Sequence, residues 1–301
     1  VTSVAHKSIG RFMRAIGILL MATAVVFVGL KIRDSYSLLA SDFGNSRFLG
    51  TIAIGMCVYA ALAGLIGTAW VVLVSGAGHT LGLRDGLIIF GRSQILKYLP
   101  SNVLHLAGRY TMARAAGASH ASLIFSTGAE AAILIMAAST VAVVFALPLF
   151  LSYVVGAFGT SYGPIAILVA LGVLLLGSLW WLRREGMLTH RLGAMTFAAY
   201  CLYLCFFVVN GLLLWLLLAA VDSGARHDPF SVLGVAAAAW IGGFVVPGAP
   251  AGLGIREVIL TSGLDMAGYG TSALAAALGY RIATFGGDII LASVSLVLRR
   301  R

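Results

Sequence analysis

Six apolar runs, residues 15–30, 48–74, 122–147, 164–182, 194–221 and 272–298, constrain this chain more than any other feature. A hydrocarbon layer about 30 Å thick is crossed by about 20 helical residues, so runs of this kind form membrane spans, some of them tilted. The first run follows Lys7, Arg11 and Arg14 as a signal peptide would. Lys31 and Arg33 stand where small cleavage-site residues belong, however, and the run is read as a span. Of the 301 residues 60% are hydrophobic and 10% charged, where a soluble domain carries about a quarter charged. The mean hydropathy is +1.02. The expectation is an all-α polytopic membrane protein, a single transmembrane domain over residues 1–301, with no folded aqueous domain.

Two apolar regions break the pattern. Residues 81–116 carry Arg84, Asp85, Arg92, Lys97, Arg109 and Arg114, and residues 230–264 are interrupted by Pro247, Gly248, Pro250, Gly252 and Gly254. If each enters and leaves on one side as a helical hairpin, only the six plain runs cross. With the N-terminus inside, Lys7, Arg11, Arg14, Arg84, Arg114, Arg183, Arg184, Arg191 and Arg299 to Arg301 then fall on the inner side. Only Lys31, Arg33, Arg47 and Arg226 fall on the outer side. This asymmetry obeys the positive-inside rule and predicts that both termini are cytoplasmic and that residues 148–163 are external.

Broken helices are tolerated at membrane depth only where protein or a watery cavity covers the freed backbone, so the two breaks are the places to look for function. They resemble each other. Pro100 is followed nine residues later by Arg109, and Pro247 by Arg256; a glycine comes next, Gly117 or Gly263, and then a long span. With both hairpins re-entrant, the spans before them run in opposite directions. The chain therefore reads as two inverted repeats, about 48–147 and about 194–298, each with a re-entrant broken-helix hairpin. The breaks at Pro100 and Pro247 are predicted to approach each other near the midplane.

A half-helix N-terminus offers unpaired N–H groups and a positive dipole end, and an adjacent arginine adds a planar charged fork suited to phosphate. Arg109 and Arg256 are accordingly expected to grip one lipid phosphate. Asn102 and His105 in the first break and Gly252 and Gly254 in the second complete the candidate substrate-binding set. Glu130, eight residues into a span, is the expected counter-charge to one of the arginines. Glu257 is not a same-face partner for Arg256, since neighbouring residues on a helix diverge by about 100°. Arg281 and Asp288 stand two turns apart on one face and read as an ion-pair network, with Arg281 also counted in the substrate site.

At these residues the chain resembles the transmembrane region of lysylphosphatidylglycerol synthases and its stand-alone, flippase-like relatives. The resemblance rests on Lys97-Tyr98-Leu99-Pro100 with Gly108-Arg109, on Glu130, and on Pro247 through Gly252-Leu253-Gly254-Ile255-Arg256-Glu257, and it reaches Tyr280-Arg281 in the last run. It implies translocation of an anionic phospholipid or a polyprenyl-phosphate-linked glycan between the leaflets of a bacterial or archaeal cytoplasmic membrane. Ala131, where the family often has an arginine after its glutamate, and Gly286-Gly287-Asp288 depart from the pattern and leave the head group open. No aminoacyl-transfer domain lies within these residues, so synthase activity is not expected.

Other chemistry finds little support. The net charge of +10 comes without a basic face carrying interleaved aromatics, so anionic lipid rather than nucleic acid is the expected partner. Gly76-Ala-Gly78-His-Thr-Leu-Gly82 has its last glycine one residue too late for a dinucleotide fingerprint and follows no strand. The six histidines are scattered, no metal or cofactor is expected, and neither a nucleophile elbow nor a phosphate loop occurs. Cys57, Cys201 and Cys205 read as small packing residues. Beside a transporter, two readings stay open: a non-transporting membrane partner of a glycosyltransferase or lipid synthase, and an enzyme modifying a lipid head group. A deep cavity holding both arginines favours transport, a packed interior favours the partner subunit, and paired carboxylates at a membrane edge favour the enzyme.

Overall fold

The computed structural model describes residues 26, 29–30, 32–33, 36–98, 104–158, 190–221, 228–246 and 249–298. They form α1 (Tyr36–Gly44), α2 (Ser46–Gly76), α3 (Leu83–Gln94), α4 (Leu104–Ala115), α5 (His120–Phe158), α6 (His190–Val221), α7 (Pro229–Val245), α8 (Ile255–Met266) and α9 (Ser272–Leu298). Short 3-10 turns at Ile95–Tyr98 and Pro250–Gly252 follow α3 and α7, and there is no strand among the described residues. Four stretches are long and apolar enough to cross a bilayer: Ser46–Gly76, His120–Ala146, Leu192–Val221 and Ser272–Leu298. They match four of the six expected spans. The run at 164–182, nearly all of 15–30, Pro100, Asn102, Pro247 and most of the segment 148–163 fall outside the residues whose placement or side chains are described. Helix α5 continues through Phe158, past the end expected at residue 147.

From α2 to α5 the order is long, short, short, long, and from α6 to α9 it is the same. Each pair of short helices forms a hairpin closed at its base. The Ser122 hydroxyl donates to the Ala77 carbonyl at 3.0 Å, tying the start of α5 to the end of α2, so α3 and α4 enter and leave at one end. Correspondingly, the Tyr269 hydroxyl donates to the Asp228 carbonyl at 3.2 Å and closes the α7–α8 hairpin. Helix α6 lies antiparallel to α2, because Gly55 packs on Leu213 while Gly76 packs on Leu192 and Met195. The mouths of the two hairpins consequently lie at opposite ends of the bundle. Both second short helices stop alike, on a left-handed glycine, Gly117 (φ +94°) or Gly268 (φ +90°). The next residue's N–H returns to Ala113 or Leu264 in an arrangement that satisfies the last carbonyls. Gly268, rather than the expected Gly263, is thus the counterpart of Gly117; Gly263 lies inside α8 and packs on Val235.

Packing is reciprocal as well. Helix α7 lies on α5 and α3 lies on α9, so each first short helix packs on the last long helix of the other half. Both contacts are made at a glycine: a side chain at Gly234 would run into the Ala146 backbone, and one at Gly91 into Ser295 and the Leu291 carbonyl. Lipid gives helices no hydrophobic reason to associate, so small residues that let backbones approach carry much of the packing. Helix α2 sits centrally, against α3, α5, α6 and α9, and buries Phe48, Tyr59, Ile66 and Trp70. The cysteines are exposed on the outer faces of α2 and α6, which corrects their reading as small packing residues. In a helix apolar all round, composition does not distinguish the lipid face from the protein face.

The second hairpin opens on a cap. Asp228 accepts the N–H groups of Phe230 and Ser231 and the Ser231 hydroxyl, with Pro229 at the first helical position. The Ser231 hydroxyl chiefly, with the two amides, holds the Asp228 carboxyl below the usual carboxylate range. A depressed folded value means the carboxylate stabilises the fold above its ordinary titration range and that this contribution disappears as pH falls through the folded value. Asp228→Ala is expected to cost about 1 kcal/mol at pH 7, a surface-cap effect, measured as thermal unfolding in detergent. The gap to wild type should close in acid; a gap unchanged down to the acid limit would show that the carboxylate charge has no part in the cap.

Candidate functional site

Both breaks face one cavity of about 320 Å³. The first half contributes Lys97, His105, Arg109 and Glu130, the second contributes Trp240, Gly243, Gly252 and Arg256, and Tyr59 of α2 and Phe206 of α6 close the sides. The prolines of the breaks are outside the described residues, but the turns beside them, Ile95–Tyr98 and Pro250–Gly252, lie against each other. Two further hollows, of about 410 and 430 Å³, open on the outer surface, and neither contains a buried charge. The inner cavity, by contrast, has buried ionised groups in its lining, Arg109 and Glu130.

Arg109 lies five residues into α4 and is 4% exposed. Its Nη1 is 2.7 Å from both Glu130 carboxylate oxygens, Nε is 3.4 Å from the Ser93 hydroxyl, and the guanidinium stacks over Phe90 and Trp70 with Cζ 4.2 and 5.2 Å from the ring centres. Glu130 is thus the counter-charge of Arg109. The second half has an ion pair in the same place, between its second short helix and the following long helix, with the signs exchanged. Glu257 of α8 meets Arg281 of α9, Oε1 to Nε at 2.5 Å, a charge contact without hydrogen-bond alignment, and Arg281 Nη2 donates to the Ala251 carbonyl at 3.3 Å. The other Glu257 oxygen accepts the Gly254 N–H at 2.6 Å. The positive end of α8, expected to face a bound anion, is therefore met first by the protein's own carboxylate, as an N3 glutamate does at many helix starts.

Arg281 and Asp288 do not pair with each other as their spacing predicted. Arg281 goes to Glu257, and Asp288 to Lys97 (Nζ to Oδ2, 2.7 Å) and to the Tyr98 hydroxyl (2.6 Å). Seven residues along one helix share a face, but packed neighbours offering closer charges decide the partner. Glu257, Lys97 and Asp288, absent from the expected site, are consequently part of its charge network. For Glu257 the available signal was its third place after Gly254, the position of a helix-start carboxylate; nothing local in the sequence pairs Lys97 with Asp288.

Lys97, Arg109, Arg256 and Glu130 line the cavity, with Arg281, Glu257 and Asp288 behind them in the same charge network, and the three carboxylates are committed. Arg256 is left without a carboxylate among the described residues. It sits in the first turn of α8, one residue from the helix start, whereas Arg109 is in the second turn of α4. Equal spacing from the prolines does not put the two arginines at equivalent positions. The Arg256 side chain passes between Gly243 and Gly252, where any Cβ would strike it, and Cζ is 5.8 Å from the Trp240 ring centre. Gly252 (φ +71°) and Gly254 (φ +82°) hold backbone that other residues adopt only with strain. Arg256 Nε and His105 Nδ1 are both buried and have no hydrogen-bond partner. Asn102 lies outside the described residues.

Among the described residues the site is therefore a largely apolar cavity with one guanidinium that no carboxylate meets, and an anion is the chemical complement it lacks. The chain matches no protein-family signature, no curated protein and no solved structure at a level that shows kinship, so what the site does is argued from its own geometry.

Proposed function

We propose that the protein moves an anionic lipid, a phospholipid or a polyprenyl-phosphate-linked glycan, between leaflets, with the lipid phosphate held at Arg256 in the cavity between the two hairpins. One observation carries this reading: two buried nitrogens, Arg256 Nε and His105 Nδ1, stand unpartnered in the walls of a cavity whose one lining carboxylate, Glu130, is taken by Arg109. A buried guanidinium N–H is rarely left unmet, and an acceptor with spread negative charge satisfies it best; the His105 nitrogen joins it in the tautomer that carries its proton there. Hairpin mouths at opposite ends support an inverted-repeat transporter in which either leaflet reaches the same central site in turn. On this reading both termini are cytoplasmic, Arg109 and Glu130 form a neutral wall, and the apolar lining accepts the start of the acyl chains. A non-transporting partner subunit would call for a packed interior, and the cavity favours transport over it.

The test is leaflet-specific labelling. Vesicles containing the wild-type protein are expected to move a fluorescent phosphatidylglycerol to the opposite leaflet at least about tenfold faster than protein-free vesicles, the acceleration expected of one charge-assisted contact. Binding of phosphatidylglycerol without accelerated transfer would assign the site to a lipid-dependent partner subunit. Neither binding nor transfer of any phosphate-bearing lipid would end the proposal.

A further inference from the structure

Asp288 on α9 is held in a way that gripping a phosphate does not require. It is fully buried; Oδ2 takes both the Lys97 ammonium and the Tyr98 hydroxyl, while Oδ1 is buried with no hydrogen-bond partner. Helix α9 lies close against α2 here, with Gly287 facing the Met56 carbonyl, the Ala60 amide and the Tyr59 ring, where a side chain would not fit. Lys97 is the only cation in contact with this carboxylate among the described residues, and without it a buried charge would keep one hydroxyl as its sole partner, a costly arrangement.

Lys97 has reason to leave. It lines the cavity with Arg256, its side chain is 19% exposed, and it is carried by the Ile95–Tyr98 turn that touches the turn before Arg256. A four-carbon stem with a compact ammonium at its end swings easily between two acceptors. Asp288 is behind it and the cavity in front. An anion held at Arg256 competes with Asp288 for the same ammonium, and once Lys97 turns forward, the stranded carboxylate is relieved by a proton.

We infer that Lys97 and Asp288 form a proton-binding site coupled to the cavity: a lipid phosphate binding at Arg256 draws Lys97 to itself, and Asp288 takes up one proton. This rests on the phosphate reading above. The balance is simple. The phosphodiester brings one negative charge, a proton from water joins Asp288 Oδ1, Lys97 remains an ammonium, and Tyr98 keeps its hydrogen bond to Oδ2. Lipid and proton then travel as an electroneutral pair, which makes a proton gradient the energy source.

Of the other groups facing this region, His105 of α4 shares the cavity wall with Lys97 and its Nδ1 has no partner, so loss of uptake in Asp288→Asn is what assigns the proton to Asp288 rather than to His105; the rest are engaged or distant. Tyr59 of α2 packs beside Gly287, Glu257 of α8 is bound to Arg281 of α9, and Asn210 of α6 donates to Tyr280. Arg84, Asp85 and Arg92 of α3 lie around the Leu298 end of α9, and Asp42 lies in α1, which packs on the same helix beside its Leu274 end.

Calorimetric titration of the purified wild-type protein with dihexanoyl phosphatidylglycerol, in buffers of different ionisation enthalpy, tests this without any mutation. The phosphodiester does not itself titrate near neutral pH. Uptake of about one proton per lipid is expected, with affinity weakening about tenfold for each unit of rising pH. Asp288→Asn, a mimic of the protonated residue, is expected to bind the same lipid with no proton uptake and no pH dependence. Lipid binding without proton uptake by the wild type, a dependence on sodium in its place, or undiminished uptake by Asp288→Asn would overturn the proton site while leaving the phosphate site standing. Failure of the wild type to bind lipid at all would overturn both.

Discussion

Arg109→Gln is expected to destabilise the protein by about 3 to 5 kcal/mol, the effect of removing one partner from a buried ion pair. Glu130 is 5% exposed, and both of its oxygens sit at 2.7 Å from the same guanidinium nitrogen. Glutamine is too short and too weakly polar to neutralise that carboxylate, and it also forfeits the stack on Phe90 and Trp70. The double variant Arg109→Gln/Glu130→Gln should recover most of the loss, because no buried charge is left alone and two amides can bond to each other. Thermal unfolding in detergent across the four proteins of the cycle measures the coupling. A single variant as stable as wild type would show that water reaches Glu130 and that the pair is not a structural element.

Arg256→Gln is expected to behave in the opposite way: translocation of phosphatidylglycerol falls about ten- to a hundredfold, matching the roughly 1.5 to 3 kcal/mol of a hydrogen bond to a charged group. Stability should stay within about 1 kcal/mol of wild type, because no carboxylate among the described residues depends on Arg256. Arg256→Lys keeps the charge but loses the planar fork, and its ammonium is not shaped to pass between Gly243 and Gly252 as the guanidinium does. Partial activity is expected for it. Leaflet labelling paired with unfolding curves separates the alternatives. Full translocation by Arg256→Gln would remove the phosphate site, and loss of activity only in step with unfolding would make this arginine structural, like Arg109.

The contrast between these two arginines marks where sequence stops being informative. Both follow a proline by nine residues, and from that spacing they look equivalent. The fold gives them different work because each carboxylate goes to the nearest cation in space: Glu130 reaches Arg109 across the turn from α4 to α5, and Glu257 reaches over to Arg281 instead of its sequence neighbour Arg256. That Glu257 would not serve Arg256 was legible from helix geometry, since adjacent residues diverge. That Arg281 would take it depended on how α8 packs on α9. Gly252 was readable as special at the break, whereas Gly243, the other wall of the Arg256 slot, is one glycine among many small residues of α7.

By itself the sequence determined the all-α, membrane-spanning class, four of the long helices and the two interrupted regions, because length of apolar run and the insertion of prolines and charges are local properties that the bilayer reads directly. Four of the six expected spans are long apolar helices, and each interrupted region holds a pair of short helices. The helix faces were not determined, since a bilayer rewards every apolar face alike; the outward cysteines follow from packing alone. Nor, apart from Glu130 as the counter-charge of an arginine, were the charge partners. In a medium of low dielectric an ion pair forms wherever opposite charges come within contact, whatever their separation in the chain. Lys97 and Asp288, drawn from opposite halves of the sequence, became one site only when the tertiary structure brought the first hairpin onto the last helix.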